Sequence, residues 1–498
     1  MQETANLQSA TNQAIRKLSP TELWNNFADL NAIPRASKKE ERVIKFIQDF
    51  GKKLGLKVHT DEVGNVIIKK PASKGMENRM TVAMQSHLDM VHQKNADSLF
   101  NFDTQGIEMY VDGDWVKAEG TTLGADNGIG VASIMTILAS KDIAHPPLEA
   151  LFTIDEETGM TGALGLKGGL LDAKILLNLD TEEDDELTIG CAGGIDVTVT
   201  GKYKTINVPK DSLAFKFSVK GLTGGHSGTE IHKGRANANK IMNRFLLEAS
   251  EVHDIHLHSI DGGSLRNAIP RESVAIIVIP ESQKGSFYTF VSAFEKTVKD
   301  EYRSTDPGMQ MIAESTSLPE NILDPIAQEQ IVKSNYACPN GIYRMSPDIP
   351  GLVQTSNNLA RVLIKDGTYS VLCLTRSSIN SEKMDEAKAI KSTYELIGAK
   401  VAFGGSYPGW EAKPDTGIVK LMSSIYKEKF GEAAKVNAVH AGLECGILGT
   451  NYPEMEMISF GPNIYGAHSP DERVQISSVT KYWGFLLDTL KKIPEQKS

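Results

Sequence analysis

The sequence predicts an α/β protein. Its main domain carries a mainly parallel, doubly wound sheet, interrupted by an inserted α+β domain of two ferredoxin-like lobes. Three observations predict this. Short apolar runs alternate with helical stripes through the first two hundred residues, the pattern of strands joined by helical crossovers. Near residue 205 the texture changes to longer alternating strands, each followed by a helical stretch. From about residue 401 the first texture returns. The expected division is therefore 1–204, opening on a polar tail at 1–17, then an insert at 205–400, then the second part of the main domain at 401–498.

Taken in order, Ser37 and Glu40 stand in capping-box spacing, and Val43, Ile47, Phe50 and Leu54 then form one apolar helical stripe. "KVHTDEVGNVIIKK" predicts a hairpin turning at Gly64–Asn65, and "TVAM" a buried strand. "NGIGVASIMTILAS" reads as a helix, and "LEALFTI" and "AKILLNL" as further strands. In the insert, the strands "LAFKFSVKG" and "SVAIIVIP" are each followed by a helical run, and "YSVLCLTRSS" before "EKMDEAKAIKSTYELIGA" repeats that order. That repetition is the reason for expecting two lobes. The last segment supplies the helix "TGIVKLMSSIYKEKF", the strand "EMEMISF" and a terminal helix.

A chain of 498 residues exceeds one ordinary core. Its 40% hydrophobic and 23% charged content is that of a globular protein. The formal charge of −10 argues against nucleic acid as a partner, since non-specific binders need a basic footprint. The start has no apolar core of signal-peptide length, and no stretch is apolar enough to span a bilayer. The expectation is a cytoplasmic protein with no membrane partner. Cys191, Cys338, Cys373 and Cys445 are far apart and form no Cys-x-x-Cys pair, so they are expected to be reduced and buried.

The chemistry lies in where the acidic and imidazole residues fall. His87 follows "TVAMQS", Glu156 and Glu157 follow "LEALFTID", Asp180 follows "KILLNL", and His468 lies in "GPNIYGAHSPDE" after "EMEMISF". Each sits at the carboxyl end of an expected strand, the edge where a parallel sheet forms its ligand crevice. Asp126, in "TTLGADNGIG", opens a helix. So many carboxylates in one crevice demand positive charge, and two divalent cations supply it. A set of His and carboxylate without thiolate suits zinc, with cobalt or manganese as substitutes, and a shared carboxylate holds two ions about 3.5–4 Å apart. Such a pair activates water, which makes a hydrolase. In "HLD", Asp89 would then aim the ring of His87.

Each residue also has a bland reading. Asp126 can be read as a helix N-cap, "DEE" at 155–157 as a solvated turn, "DTEEDDE" as another beyond Asp180, and His226 as part of a Gly-rich turn. His253, His256 and His258 read as polar strand positions and not as a metal site. The joint placement of the first group, not any one member, carries the inference.

The motifs "HLD", "GADNGIG", "DEETGM", "NLDTEE", "GGHSG" and "GAHSPDE" resemble, in order, those of the co-catalytic zinc exopeptidases that include carboxypeptidase G2 and aminoacylase. "GLTGGHSGTEIHKG", "LRNAIPRE", "YPGW" and "HAGLECGIL" are similar to the bacterial dipeptidases of that family, including those acting on aminoacyl-histidine. The resemblance implies that His87 and Asp180 bind one zinc, Glu157 and His468 the other, and Asp126 both. It implies that Asp89 orients His87, that Glu156 is the general base, and that His226 is an oxyanion-stabilising residue of a lid formed by the insert. Asn267, Arg376 and Gly442 would hold the substrate. Unblocked dipeptides, Xaa-His peptides such as carnosine among them, are the implied substrates, with N-acyl amino acids as the rival, and a homodimer is the implied assembly. One departure is His92, where relatives more usually carry proline; it is expected to be a neutral surface change.

Overall fold

In the computed structural model, which describes residues 12–496, the run at Val82–His87 becomes a central strand of an eight-stranded sheet. The sheet runs Lys57–Thr60, Val66–Lys70, Leu148–Thr153, Val82–His87, Ile175–Asn178, Glu456–Ser459, Glu186–Cys191 and Lys435–Val439. Its middle four strands are parallel. The 57–70 hairpin adds antiparallel strands on one side, and Glu186–Cys191 runs antiparallel to Glu456–Ser459 on the other. The cause is connection length, because a tight turn or a short loop cannot make the dozen-residue crossover that a parallel pair needs.

The described chain divides into two units. One holds the residues up to Gly190, Ala412–Ala438 and Leu443 onward; the other holds Cys191–Glu411 and Val439–Gly442. In the first, the helix Ala125–Ala139 is buried on nearly every side, packed between the helix Thr21–Asn31 and the strand that ends at His87. A helix apolar all round belongs in an interior, and this one anchors the sheet face behind the strand ends. The stripe Val43, Ile47, Phe50 and Leu54 packs into the same core from the helix Glu41–Lys53.

Two local expectations fail here. Ser37 and Glu40 form no capping box: Ser37 donates to Asp89 at 2.8 Å, and Glu40 accepts from the amides of Lys38 and Asp155 at 2.8 and 3.0 Å. Long-range partners have taken both side chains. The expected polar tail is packed from residue 12 on, with Ile15 fully buried and Asn12 bonded to Ile107 and Met109, while residues 1–11 lie outside the described ones.

The second unit is built on one nine-stranded sheet containing two copies of a split βαβ plan. The first copy uses Ser212–Lys220, the helix Ala238–Val252, His256–Gly263, Ser273–Pro280, the helix Lys284–Glu301 and Gln310–Thr316, in sheet order fourth, first, third, second. The other copy starts with Gly193–Lys202, lets the first copy intervene, and resumes with the helix Pro325–Ala337, Val353–Lys365, Thr368–Ser377, the helix Asn380–Glu395 and Lys400–Tyr407. Antiparallel pairing of His256–Gly263 with Val353–Lys365 fuses the two. This unit therefore begins and ends outside 205–400, because the strand at 193–202 pairs with Thr368–Ser377 and with Lys400–Tyr407.

Candidate metal centre

Parallel pairing brings the carboxyl ends of Val82–His87, Leu148–Thr153, Ile175–Asn178 and Glu456–Ser459 to one edge of the first sheet. There the ring Nε2 of His87 lies 3.1 Å from an oxygen of Asp126 and 3.5 Å from one of Asp180. Nε2 of His468 lies 3.2 Å from the other oxygen of Asp126 and 2.9 Å from Glu157. Two triads thus share Asp126, each with its potential ligand atoms within 4.8 Å of one another. Glu156, beside Glu157 in the chain, groups with His87 and Glu157.

These spacings fit cations. Ligand atoms about 2.0–2.1 Å from a tetrahedral ion stand about 3.3 Å apart. The four imidazole–carboxylate distances, 2.9 to 3.5 Å, bracket that edge.

Neighbouring groups hold these side chains in place. Asp89, fully buried, faces Nδ1 of His87 at 3.4 Å, and it also accepts from the amides of Glu156 and Glu157 at 3.0 and 3.2 Å. Nδ1 of His87 is nearer still to the Asp89 backbone carbonyl, at 3.1 Å, so Asp89 braces the imidazole through its main chain while its carboxylate fixes the turn that carries both glutamates. Asn127 donates to Leu179 and to the carboxylate of Asp180. Asp126 is not an N-cap: the left-handed Gly124 precedes the helix, and Asp126 and Asn127 are themselves non-helical.

Electrostatics follow from crowding. Burial opposes charge on His87, yet Asp180 and Asp126 raise its pKa well above the usual value. Bonds from Asp126 and Glu157 push His468 up to about 11. Burial, then the neighbouring acids, raises Glu156 well above the ordinary carboxylate range. An excess of buried negative charge of this kind is what divalent cations neutralise.

The bland readings of the acidic runs fail. Asp155 is buried and accepts the hydroxyls of Thr158 and Thr161. In the run after Asp180, Glu183 meets Tyr465 at 3.1 Å and Asp184 meets Lys481 at 2.7 Å. Burial, then Asp126 and Asp180, pushes Glu182 up to about 9. His92 is half-buried, its ring stacked on Phe102 with centroids 4.1 Å apart. His253, His256 and His258 belong to no cluster of potential metal ligands among the described residues.

In the second unit, Nδ1 of His226 accepts from the amides of Gly228 and Thr229 at 3.2 and 3.0 Å. Burial, then Arg376, lowers its pKa to about 4, which favours the neutral ring, and the two amides facing Nδ1 leave the ring proton to Nε2. Arg376 is anchored by Tyr407 at 3.0 Å, with one guanidinium nitrogen 3.5 Å from Nε2 of His226. Asn267 is exposed, and its backbone carbonyl accepts from the amide of Ser227 at 2.8 Å, next to His226. Gly442 lies in the 439–442 segment. That segment reaches the His226 loop closely enough that a Cβ on Gly228 would meet the His440 carbonyl at 2.2 Å.

Sequence reasoning missed Arg35, Glu444 and Glu472. Arg35, fully buried, donates to the carbonyls of Leu88, Asp89 and Gly124 and ties the two ligand loops together. Glu444 accepts from Gln85 and Thr153 at 2.6 and 2.7 Å beneath the crevice. Glu472 stands inside the quoted motif "GAHSPDE", which was the available signal.

The family model "Peptidase family M20/M25/M40" matches residues 83–492. The chain is 43% identical over 480 residues to the cytosol non-specific dipeptidase of Escherichia coli K12, covering 96% of this chain and 99% of that one. It superposes on the crystal structure of aminoacylhistidine dipeptidase from Vibrio alginolyticus with a TM-score of 0.91 at 42% identity, over 97% of this chain and 99% of the other. Aminopeptidase PepT from Bacillus cereus shares the fold at 16% identity, with a TM-score of 0.56 over 96% and 99% of the two chains.

Proposed function

Because the chain belongs to peptidase family M20/M25/M40, we propose that it is a cytosolic, homodimeric dizinc dipeptidase that hydrolyses unblocked dipeptides, Xaa-His peptides such as carnosine among them. The observation that carries the proposal is the pair of triads sharing Asp126, and the reading gives the adjacent Glu156 to proton transfer. The names of the E. coli and Vibrio relatives support the substrate class. The donor set of imidazole and carboxylate supports zinc, with cobalt or manganese as substitutes. His87 and Asp180 would hold one ion, Glu157 and His468 the other, and Asp126 both.

Two cations held there would supply Lewis acidity, enough to polarise a peptide carbonyl and to make water acidic near neutral pH. Glu156 accepts the proton of the attacking water and passes it to the departing amine, so that peptide and water become two amino acids. Asp89 keeps Nε2 of His87 aimed during this exchange. The Nε2 proton of His226 serves the oxyanion that develops on the carbonyl. Arg376, Asn267 and Gly442 take the substrate's backbone and carboxylate.

A panel of dipeptides, tripeptides and N-acetyl amino acids, with metal content measured on the same sample, tests the proposal. Turnover of dipeptides by the metal-loaded protein is expected. Preference for the N-acetyl amino acids would transfer the chain to the aminoacylases.

A further inference from the structure

Glu472 is 2% exposed and lies four residues beyond His468. Its carboxylate accepts from four successive amides: Leu123 at 2.7 Å and Gly124 at 2.9 Å on one oxygen, Ala125 at 2.8 Å and Asp126 at 3.3 Å on the other. These are the unpaired donors that lead into the helix Ala125–Ala139. A serine or aspartate just before the helix commonly satisfies such groups. Here Gly124 occupies the cap position with no side chain to offer, and the acceptor comes from more than three hundred residues away.

That distant origin has a consequence for the ligands. The turn that carries His468 closes on itself through Ser469 to Gly466 at 3.2 Å and Glu472 to Ser469 at 3.1 Å. His468 itself has a positive φ of 63° and a side chain 56% exposed, so little packing fixes it. Beside the 3.2 Å contact of His468 with Asp126, the Glu472 carboxylate attaches this turn to the Asp126 loop through four amides. Arg35 holds the same loop from another direction, through the Gly124 carbonyl at 2.6 Å.

We propose that Glu472 is a positioning residue of the metal centre, setting the spacing between Asp126 and His468 by fastening the His468 turn to the amides that end at Asp126. The proposal rests on the two-metal reading above. It assigns Glu472 no contact with substrate and no share in proton transfer.

The experiment compares Glu472→Gln and Glu472→Asp with the wild type in three measurements. These are Zn2+ affinity of the metal-free protein by competition with a chromophoric chelator, kcat and KM on a dipeptide at saturating Zn2+, and the melting temperature of the metal-free protein. Glutamine turns one acceptor into a donor that faces amides. It is expected to weaken Zn2+ binding about 10–100-fold and to lower kcat at saturating metal, with KM little changed. Aspartate keeps both acceptors and the charge but draws the turn inward by one methylene. It is expected to recover most of the melting temperature while leaving affinity and kcat below wild type. If Glu472→Gln does not fold, the aspartate variant alone decides. Wild-type affinity and wild-type kcat in either folded variant, with only the melting temperature lowered, would make Glu472 a mere helix cap and overturn the proposal. A wild type that binds no metal would instead sink the two-metal reading.

Discussion

Glu156 and Glu157 are chain neighbours to which the proposed mechanism gives different tasks. Glu157 meets His468 at 2.9 Å, whereas Glu156 is half-buried, with Asp180 and Glu444 acting on its charge. Glu156→Gln should therefore keep both metals and lose about 10²–10⁴-fold in turnover. Metal analysis beside a rate measurement checks this, and loss of metal would make Glu156 a ligand. His226 calls for a different readout. Its ring is neutral, with Nδ1 held by two amides, so His226→Ala should lower kcat by roughly 10²–10³ with metal content intact. Unchanged kcat at saturating dipeptide would reduce His226 to a turn residue. At this scale, what is legible in the sequence is local. His87 and Asp89 are two residues apart, and their pairing needs only a strand end. Glu182 reads as solvated because its acidic neighbours hide its half-buried place, where its backbone carbonyl accepts from the distant Ile464.

Elements are legible wherever a period shows and obscure wherever a distant partner decides. The stripe from Val43 to Leu54 marks its helix, and the apolar run of "TVAM" marks a strand buried on both faces. The start of the helix at 125 defeats a local reading, because the conformations of Asp126 and Asn127 answer to Glu472 and Asp180, not to helix propensity. The glycines of "GADNGIG" have a purpose the sequence only hints at. A Cβ on Gly130 would meet the Ser86 hydroxyl at 2.4 Å, the Asn127 side chain at 2.5 Å and the Leu179 carbonyl at 2.9 Å. Those neighbours adjoin His87 and Asp180, so the helix must pass close behind both candidate ligands. Gly130→Ala should cost about 1–3 kcal/mol through overpacking and weaken metal binding as well. Thermal melts with and without added Zn2+ check it, and an unchanged melting temperature would mean that the helix shifts freely.

For the whole molecule, alternating textures announce a discontinuous chain, but the strand at 193–202 is invisible as the start of the second unit, since its partners lie some 170 residues onward. One stability effect also belongs to this scale. Glu386 is 1% exposed with neither oxygen bonded to a protein group, and burial, then Cys338, pushes it up to about 8. The folded chain thus keeps a proton that the unfolded chain releases near the ordinary 4.5. Stability from this group is full at acidic pH and declines as pH rises from about 4.5 to about 8. Glu386→Gln should remove that decline and stabilise the protein at pH 8 by about 1–3 kcal/mol; denaturant melts at pH 5 and 8 would contradict this if both variants lost stability equally. The central claim is that one shared carboxylate holds two catalytic cations. Zn2+ titration of the metal-free protein, followed by bound metal and dipeptide turnover together, tests it most directly. The expected result is two ions per chain with activity complete at the second, and loss of both ions in Asp126→Ala. Full turnover without metal, or one ion retained at wild-type affinity in that variant, would contradict it.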